Sequence, residues 1–173
     1  MQKHIQSFLN QSDIDGILST VNHMKSTLDT VVWNEGSGEP EVIFREVKKI
    51  INNTSLGKIT FDIEVPDHIK NKVIEVGKEM GIDGKFIRAA YCEYSPKYGK
   101  PKLGYHKDSR DLFIIDYQLD GNTTWDLIVD DTNYTLNNND ALAFFPARQQ
   151  HGRTVKEFED GQYVAMLFLD LEI

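Results

Sequence analysis

The chain has 173 residues, a formal charge of −8 and a single cysteine, with 40% of its residues apolar and 27% charged. That length supports one domain with a real core, read here as residues 1–173. The acidic surplus argues against a protein that tracks along nucleic acid by releasing counterions, and a lone Cys92 cannot form an internal disulfide. No apolar run approaches the roughly twenty residues that span a bilayer, so no membrane partner is expected. Met1-Gln2-Lys3-His4-Ile5-Gln6 lacks the apolar centre of a signal peptide, and the expected compartment is cytoplasmic.

From Ser12 to about Val32, Ile14, Ile17, Leu18, Val21, Met24, Leu28 and Val31 recur at three- and four-residue spacing and predict an amphipathic helix capped at Ser12 or Asp13. Asn34 to Pro40 has loop chemistry, and a second helix is expected from Pro40 to about Asn52 with Val42, Ile43, Val47, Ile50 and Ile51 on one face. Ile59 to Val65 alternates apolar and polar as a half-buried strand does. Pro66-Asp67 then opens a helix with Ile69, Val73, Val76 and Met80 inside and Gly81 past its end. These elements carry no chemical motif. His4, His23 and His68 read as surface residues, and Cys92 as a small buried hydrophobe.

From Lys85 onward the pattern changes to short strands: Phe86 to Tyr94, Leu112 to Leu119, Thr123 to Val129, Tyr134 with its neighbours, Ala141 to Phe145, Gly152 to Phe158 and Tyr163 to Leu171. Turn residues separate them at Asp120-Gly121-Asn122, Asn137 to Asp140 and Glu159-Asp160-Gly161. Short strands at this spacing imply a double-sheet jelly roll or barrel.

Within this half, His106 and Asp108 are two apart, so on an extended segment they project to one side. His151, which follows the apolar run Ala141 to Pro146, is the candidate third ligand. Two imidazoles and one carboxylate on one face of a metal suit non-heme Fe(II) and its oxygen chemistry. Lys97, Lys100, Lys102, Lys107 and Arg110 crowd around this segment. They are either a solvated lysine loop or an electropositive mouth for an anionic ligand.

The order Tyr91-Cys92-Glu93-Tyr94, Tyr105-His106-Lys107-Asp108, the strand with Tyr117, Phe144-Phe145-Pro146 before His151, and a last apolar strand resembles the Fe(II)/2-oxoglutarate-dependent oxygenases, in particular their prolyl-hydroxylase-like branch. The resemblance runs from Phe86 to the C-terminus. It implies an α+β protein built on a double-stranded β-helix (jelly roll), with N-terminal helices buttressing the larger sheet. It also implies a hydroxylase that uses Fe(II), O2 and 2-oxoglutarate as cosubstrate, with His106, Asp108 and His151 as metal ligands and catalytic centre. The substrate stays open between a protein side chain and a small molecule. In such enzymes a basic residue on the last strand holds the far carboxylate of 2-oxoglutarate, whereas this chain has Asp160, Gly161 and Gln162 there. Arg153, two after His151, is the candidate substitute. Tyr94, Tyr117 and Gln162 complete the expected cosubstrate contacts, the tyrosines being equally readable as core residues. Two other readings of the same pattern are a cupin-like metalloprotein that uses no 2-oxoglutarate and a non-catalytic jelly-roll binding domain.

Overall fold

The computed structural model describes residues 1–33 and 48–173. The order is β1 (Lys3–Ile5), α1 (Gln11–Thr27), β2 (Thr30–Trp33), β3 (Ile50–Asn53), β4 (Lys58–Ile63), α2 (Asp67–Glu79), β5 (Lys85–Tyr94), β6 (Leu112–Gly121), β7 (Leu127–Val129), β8 (Thr132–Tyr134), β9 (Ala141–Phe144), β10 (His151–Arg153) and β11 (Val164–Glu172). The side chain of Asn10 caps α1 by accepting from the Asp13 N–H at 2.8 Å, and Ile17 and Val21 are its buried residues.

Helix α1 ends at Thr27, short of the expected Val32, because the β-branched stretch Thr30-Val31-Val32 pairs in parallel with β3. The end of the expected second helix is likewise a strand: Ile50 and Ile51 are buried in β3, which also pairs with β4. Residues 40–47 of that expected helix lie outside the described residues. Helix α2 starts after Pro66, buries Ile69, Val73 and Val76, and is followed by Gly81 at φ 81°.

The strands form an eight-stranded sheet, β1-β9-β6-β11-β5-β4-β3-β2, and a three-stranded sheet, β10-β7-β8. Side chains alternate across the large sheet. Tyr91 of β5, Phe113, Ile115 and Tyr117 of β6, and Leu167 and Leu169 of β11 share one core with Phe8, Ile17, Ile69 and Val73, so the helices cover that face. On the other face Ile114, Leu142 and Phe144 pack with Leu127 and Val129 of the small sheet. Cys92, Tyr94, Val164 and Met166 pack with Trp125. This is a jelly roll with helices on its larger sheet, as the sequence implied. Strand β7 begins only at Leu127 and β10 ends at Arg153, both shorter than the periodicity suggested. Among the described residues no helix is long and apolar enough to cross a membrane.

Candidate metal centre

The segment 103–108 runs along β10 and extends the small sheet by an isolated bridge. His106 N donates to His151 O and His151 N to His106 O, both at 2.9 Å, while Arg153 N reaches Leu103 O at 2.9 Å and Asp108 N reaches Pro146 O at 3.0 Å. Gly152 sits where the two backbones nearly touch: a Cβ there would lie 2.9 Å from Gly104 O and 3.0 Å from Leu103 O. The pairing turns both imidazoles to the same side, with ring centroids 4.3 Å apart.

Asp108 Oδ1 lies 3.3 Å from His106 Nε2 and 3.6 Å from His151 Nε2, and the donor atoms of all three residues fall within 4.8 Å of one another. Ligands on adjacent corners of an octahedral ion stand roughly 3 Å apart, so the set needs little adjustment to close on a cation. His106 Nδ1 is 2.8 Å from Gly104 O, and His151 Nδ1 is 3.1 Å from Gln149 O. A carbonyl only accepts, so each Nδ1 carries the proton and each Nε2 presents a lone pair to the shared point.

The charges suit a cation. Burial opposes ionisation of Asp108, but the hydrogen bond its carboxylate accepts from His106 when that ring is protonated, with the field of His151, outweighs it and holds the carboxyl below its usual range. The same hydrogen bond raises His106 above the ordinary histidine value, whereas burial lowers His151. These residues fit a divalent metal with one face of its coordination sphere left open.

A cavity of about 910 Å³ opens onto the three side chains, its lining also reaching Thr20 and Met24 of α1 and Leu28 at its C-cap. Tyr94 and Arg153 both line it. Arg153 is committed to the wall: Nη1 donates to Trp125 O at 2.7 Å, Nη2 to Asp116 Oδ2 at 3.0 Å, and its side chain is 1% exposed. Burial pushes the Asp116 carboxyl up, and the Arg153 guanidinium opposes that shift. Two expected contacts are absent from the cavity. Tyr117 has the wrong parity on β6, so its ring packs 5.4 Å from Phe8 and its hydroxyl donates to Asn139 at 2.9 Å on the helix-covered face. Gln162 is turned into its own turn, accepting from Glu159 N at 2.9 Å.

Of the lysine cluster, Lys97 lies 3.7 Å from Glu93 and Lys100 3.1 Å from Glu157, while Lys107 and Arg110 line the cavity. His68 and His4 each face a carboxylate, Asp13 at 2.6 Å and Asp140 at 3.6 Å. The residues that sequence reasoning missed are Lys58 and Asp62 of β4, Arg88 of β5, Asp116 of β6 and Asp170 of β11, all on the cavity wall. For Asp116 and Asp170 a signal existed: each is the one charged residue in an otherwise apolar stretch of a buried strand, at the parity opposite to the helix-facing residues.

No protein-family model matches the chain, and no curated protein matches it in sequence. In structure it is similar to the epimerase SnoN solved with Fe3+, alpha ketoglutarate and nogalamycin RO, with TM-score 0.69 and 9% identity over 99% of this chain and 78% of that one. It is similar also to a Pseudomonas putida prolyl-4-hydroxylase, with TM-score 0.61 and 10% identity over 99% of this chain and 92% of that one. A third likeness is an oxidoreductase of the 2OG-Fe(II) oxygenase family from Burkholderia pseudomallei, with TM-score 0.56 and 9% identity over 98% of this chain and 84% of that one. The fold is that of the Fe(II)/2-oxoglutarate-dependent oxygenases.

Proposed function

We propose that the protein is a non-heme Fe(II)- and 2-oxoglutarate-dependent oxygenase that hydroxylates a C–H bond of a protein side chain or small molecule, with His106, Asp108 and His151 as its metal ligands. The observation that carries this reading is the convergence of two tethered Nε2 atoms and Asp108 Oδ1 at the mouth of a jelly-roll cavity. When bound, the metal and the 2-oxo acid supply the oxidising power: O2 and 2-oxoglutarate become CO2 and succinate as one oxygen atom enters the substrate.

The chain's own part is to hold and to shield. Gly104 O and Gln149 O fix the imidazole tautomers, and Asp108 stays anionic to balance the metal charge. Phe144, edge-on to His151 with centroids 5.2 Å apart, shields that buried ring, while His106 and Asp108 stay partly exposed. Tyr94 and Arg153 line the same cavity and would bound the space that a 2-oxo acid occupies. Succinate release tests the reading. The wild type should form succinate only with both Fe(II) and 2-oxoglutarate, and His151→Ala should form none. Metal binding without any 2-oxoglutarate turnover would instead support the cupin-like reading, and neither would support the binding domain.

A further inference from the structure

We propose that Asp130, in the turn between β7 and β8, is a positioning residue for the metal centre that acts through the side chain of Gln149; this rests on the metal-ligand reading above. Val129 and Thr132 pair directly, so the hairpin loop consists of Asp130 and Asp131. Asp130 takes φ 51°, a left-handed backbone that at the first position of such a loop favours glycine. Its two carboxylate oxygens explain why a side chain stands there. Oδ2 accepts from Gln149 Nε2 at 2.9 Å and Oδ1 from Gln150 N at 3.2 Å, beside the backbone bond from Asp130 N to Gln150 O at 2.7 Å. The strained backbone aims the carboxylate at the segment that carries His151.

Gln149 is buried and ties that segment together. Its Oε1 accepts from Phe145 N at 3.0 Å and its backbone N donates to Phe145 O at 2.9 Å, which closes residues 145–149 on themselves. Nε2 gives one hydrogen to Asp130 and the other to Gln2 Oε1, both at 2.9 Å, so both amide hydrogens are committed. The carbonyl of the same residue accepts from His151 Nδ1 at 3.1 Å and thereby leaves the Nε2 lone pair facing Asp108. Asp130, Gln149 and His151 thus form one chain of contacts from the β7–β8 turn to a metal ligand. His106 is held differently: the carbonyl at its Nδ1 belongs to Gly104, which has no side chain to be braced.

The test compares the full chain with Asp130→Gly, which suits the turn and removes both carboxylate contacts, and with Gln149→Met, which keeps the length of the side chain and removes the amide. Long-range proton–nitrogen spectra of the histidine-labelled protein at alkaline pH, before metal is added, read the tautomer of each ring. Wild-type His151 should carry its proton on Nδ1 alone. Both variants should show a second population with the proton on Nε2, while His106 stays as in the wild type. Calorimetric titration with Ni(II) should give an affinity about tenfold weaker in Asp130→Gly, the lower end of what losing a group behind a ligand does, because Asp130 is itself exposed. Adding Asp130→Gly to Gln149→Met should weaken Ni(II) binding no further, since the carboxylate acts through the amide. An unchanged His151 ring in Asp130→Gly overturns the proposal even if Ni(II) affinity falls along with the urea midpoint, because that pattern belongs to a purely structural role. Wild-type Ni(II) affinity in Asp130→Gly, or losses that add in the double variant, overturn it as well. A wild type that binds no Ni(II) overturns the metal-ligand reading and the proposal with it.

Discussion

His106 and His151 each give a backbone N–H to the other's carbonyl at 2.9 Å, so the spacing of their imidazoles is set by main-chain pairing between two distant segments. Gly152 makes that pairing close enough. In Gly152→Ala the new Cβ would press on Gly104 O and Leu103 O at 2.9 and 3.0 Å, and both obstacles are backbone. The variant should lose roughly 1–3 kcal/mol of stability in urea denaturation and bind Ni(II) at least tenfold more weakly. Wild-type metal affinity in Gly152→Ala would show that the bridge does not position the ligands.

Metal affinity should depend on pH through His106. The hydrogen bond that protonated His106 gives to Asp108 raises the pKa of His106 above the ordinary value, while burial lowers that of His151, so His106 is the ring that protonates first on acidification. A metal needs the bare Nε2, so affinity should be flat at alkaline pH. As pH falls through the raised His106 value it should drop by about tenfold per unit. Calorimetry across pH checks this, and a flat profile down to the acidic range would contradict it.

On the outer face, Glu93 is buried yet accepts from Lys25, from Tyr91 Oη at 2.7 Å and from Tyr98 Oη at 2.9 Å. Burial alone would raise its pKa, but these donors outweigh it and the carboxyl is lowered. A folded-state pKa below the unfolded one stabilises the fold above the usual carboxylate range, and that contribution disappears as pH falls through the depressed value. Lys25→Met should therefore cost roughly 1.5–3 kcal/mol at neutral pH and flatten the acid limb of the stability curve. Urea midpoints measured across pH for the two proteins read both effects.

The Arg153–Asp116 pair is almost wholly enclosed, and Asp116 Oδ1 and Arg153 Nε find no hydrogen-bond partner among the described residues. Removing one member leaves a charge stranded, so Arg153→Ala alone should destabilise by about 3–5 kcal/mol. Adding Asp116→Leu should recover part of that loss, because an apolar wall tolerates burial better than an unpaired carboxylate does. A double-mutant cycle in urea decides it, and strict additivity would mean that the pair is not coupled.

The jelly roll was legible because alternation along β5, β6 and β11 is a local property; that His106 and Asp108 would project to one side followed from parity, and the structure brings His151 beside them. The ends of the N-terminal elements were not: Thr30 to Trp33 continues a helical spacing, and only pairing with β3 makes it a strand. Tyr117 and Gln162 were misplaced for different physical reasons. Parity put Tyr117 on the helix side, as its neighbours Phe113 and Ile115 foretold, whereas Gln162 is captured by a hydrogen bond within its own turn. Lys58 was hidden by context. It lies in a stretch with no motif, and its place on the cavity depends on β4 pairing with β5.

In the proposed function one chain holds iron and a 2-oxo acid together at His106, Asp108 and His151. Anaerobic titration of the Fe(II)-loaded protein with 2-oxoglutarate, followed by visible absorption, reads this directly, since the charge-transfer band needs the acid chelated to the bound iron. The wild type should develop the band with saturation at one 2-oxoglutarate per chain, and His151→Ala and Asp108→Ala should develop none. A wild type that binds Fe(II) and shows no band, or a band that persists in His151→Ala, would contradict the account.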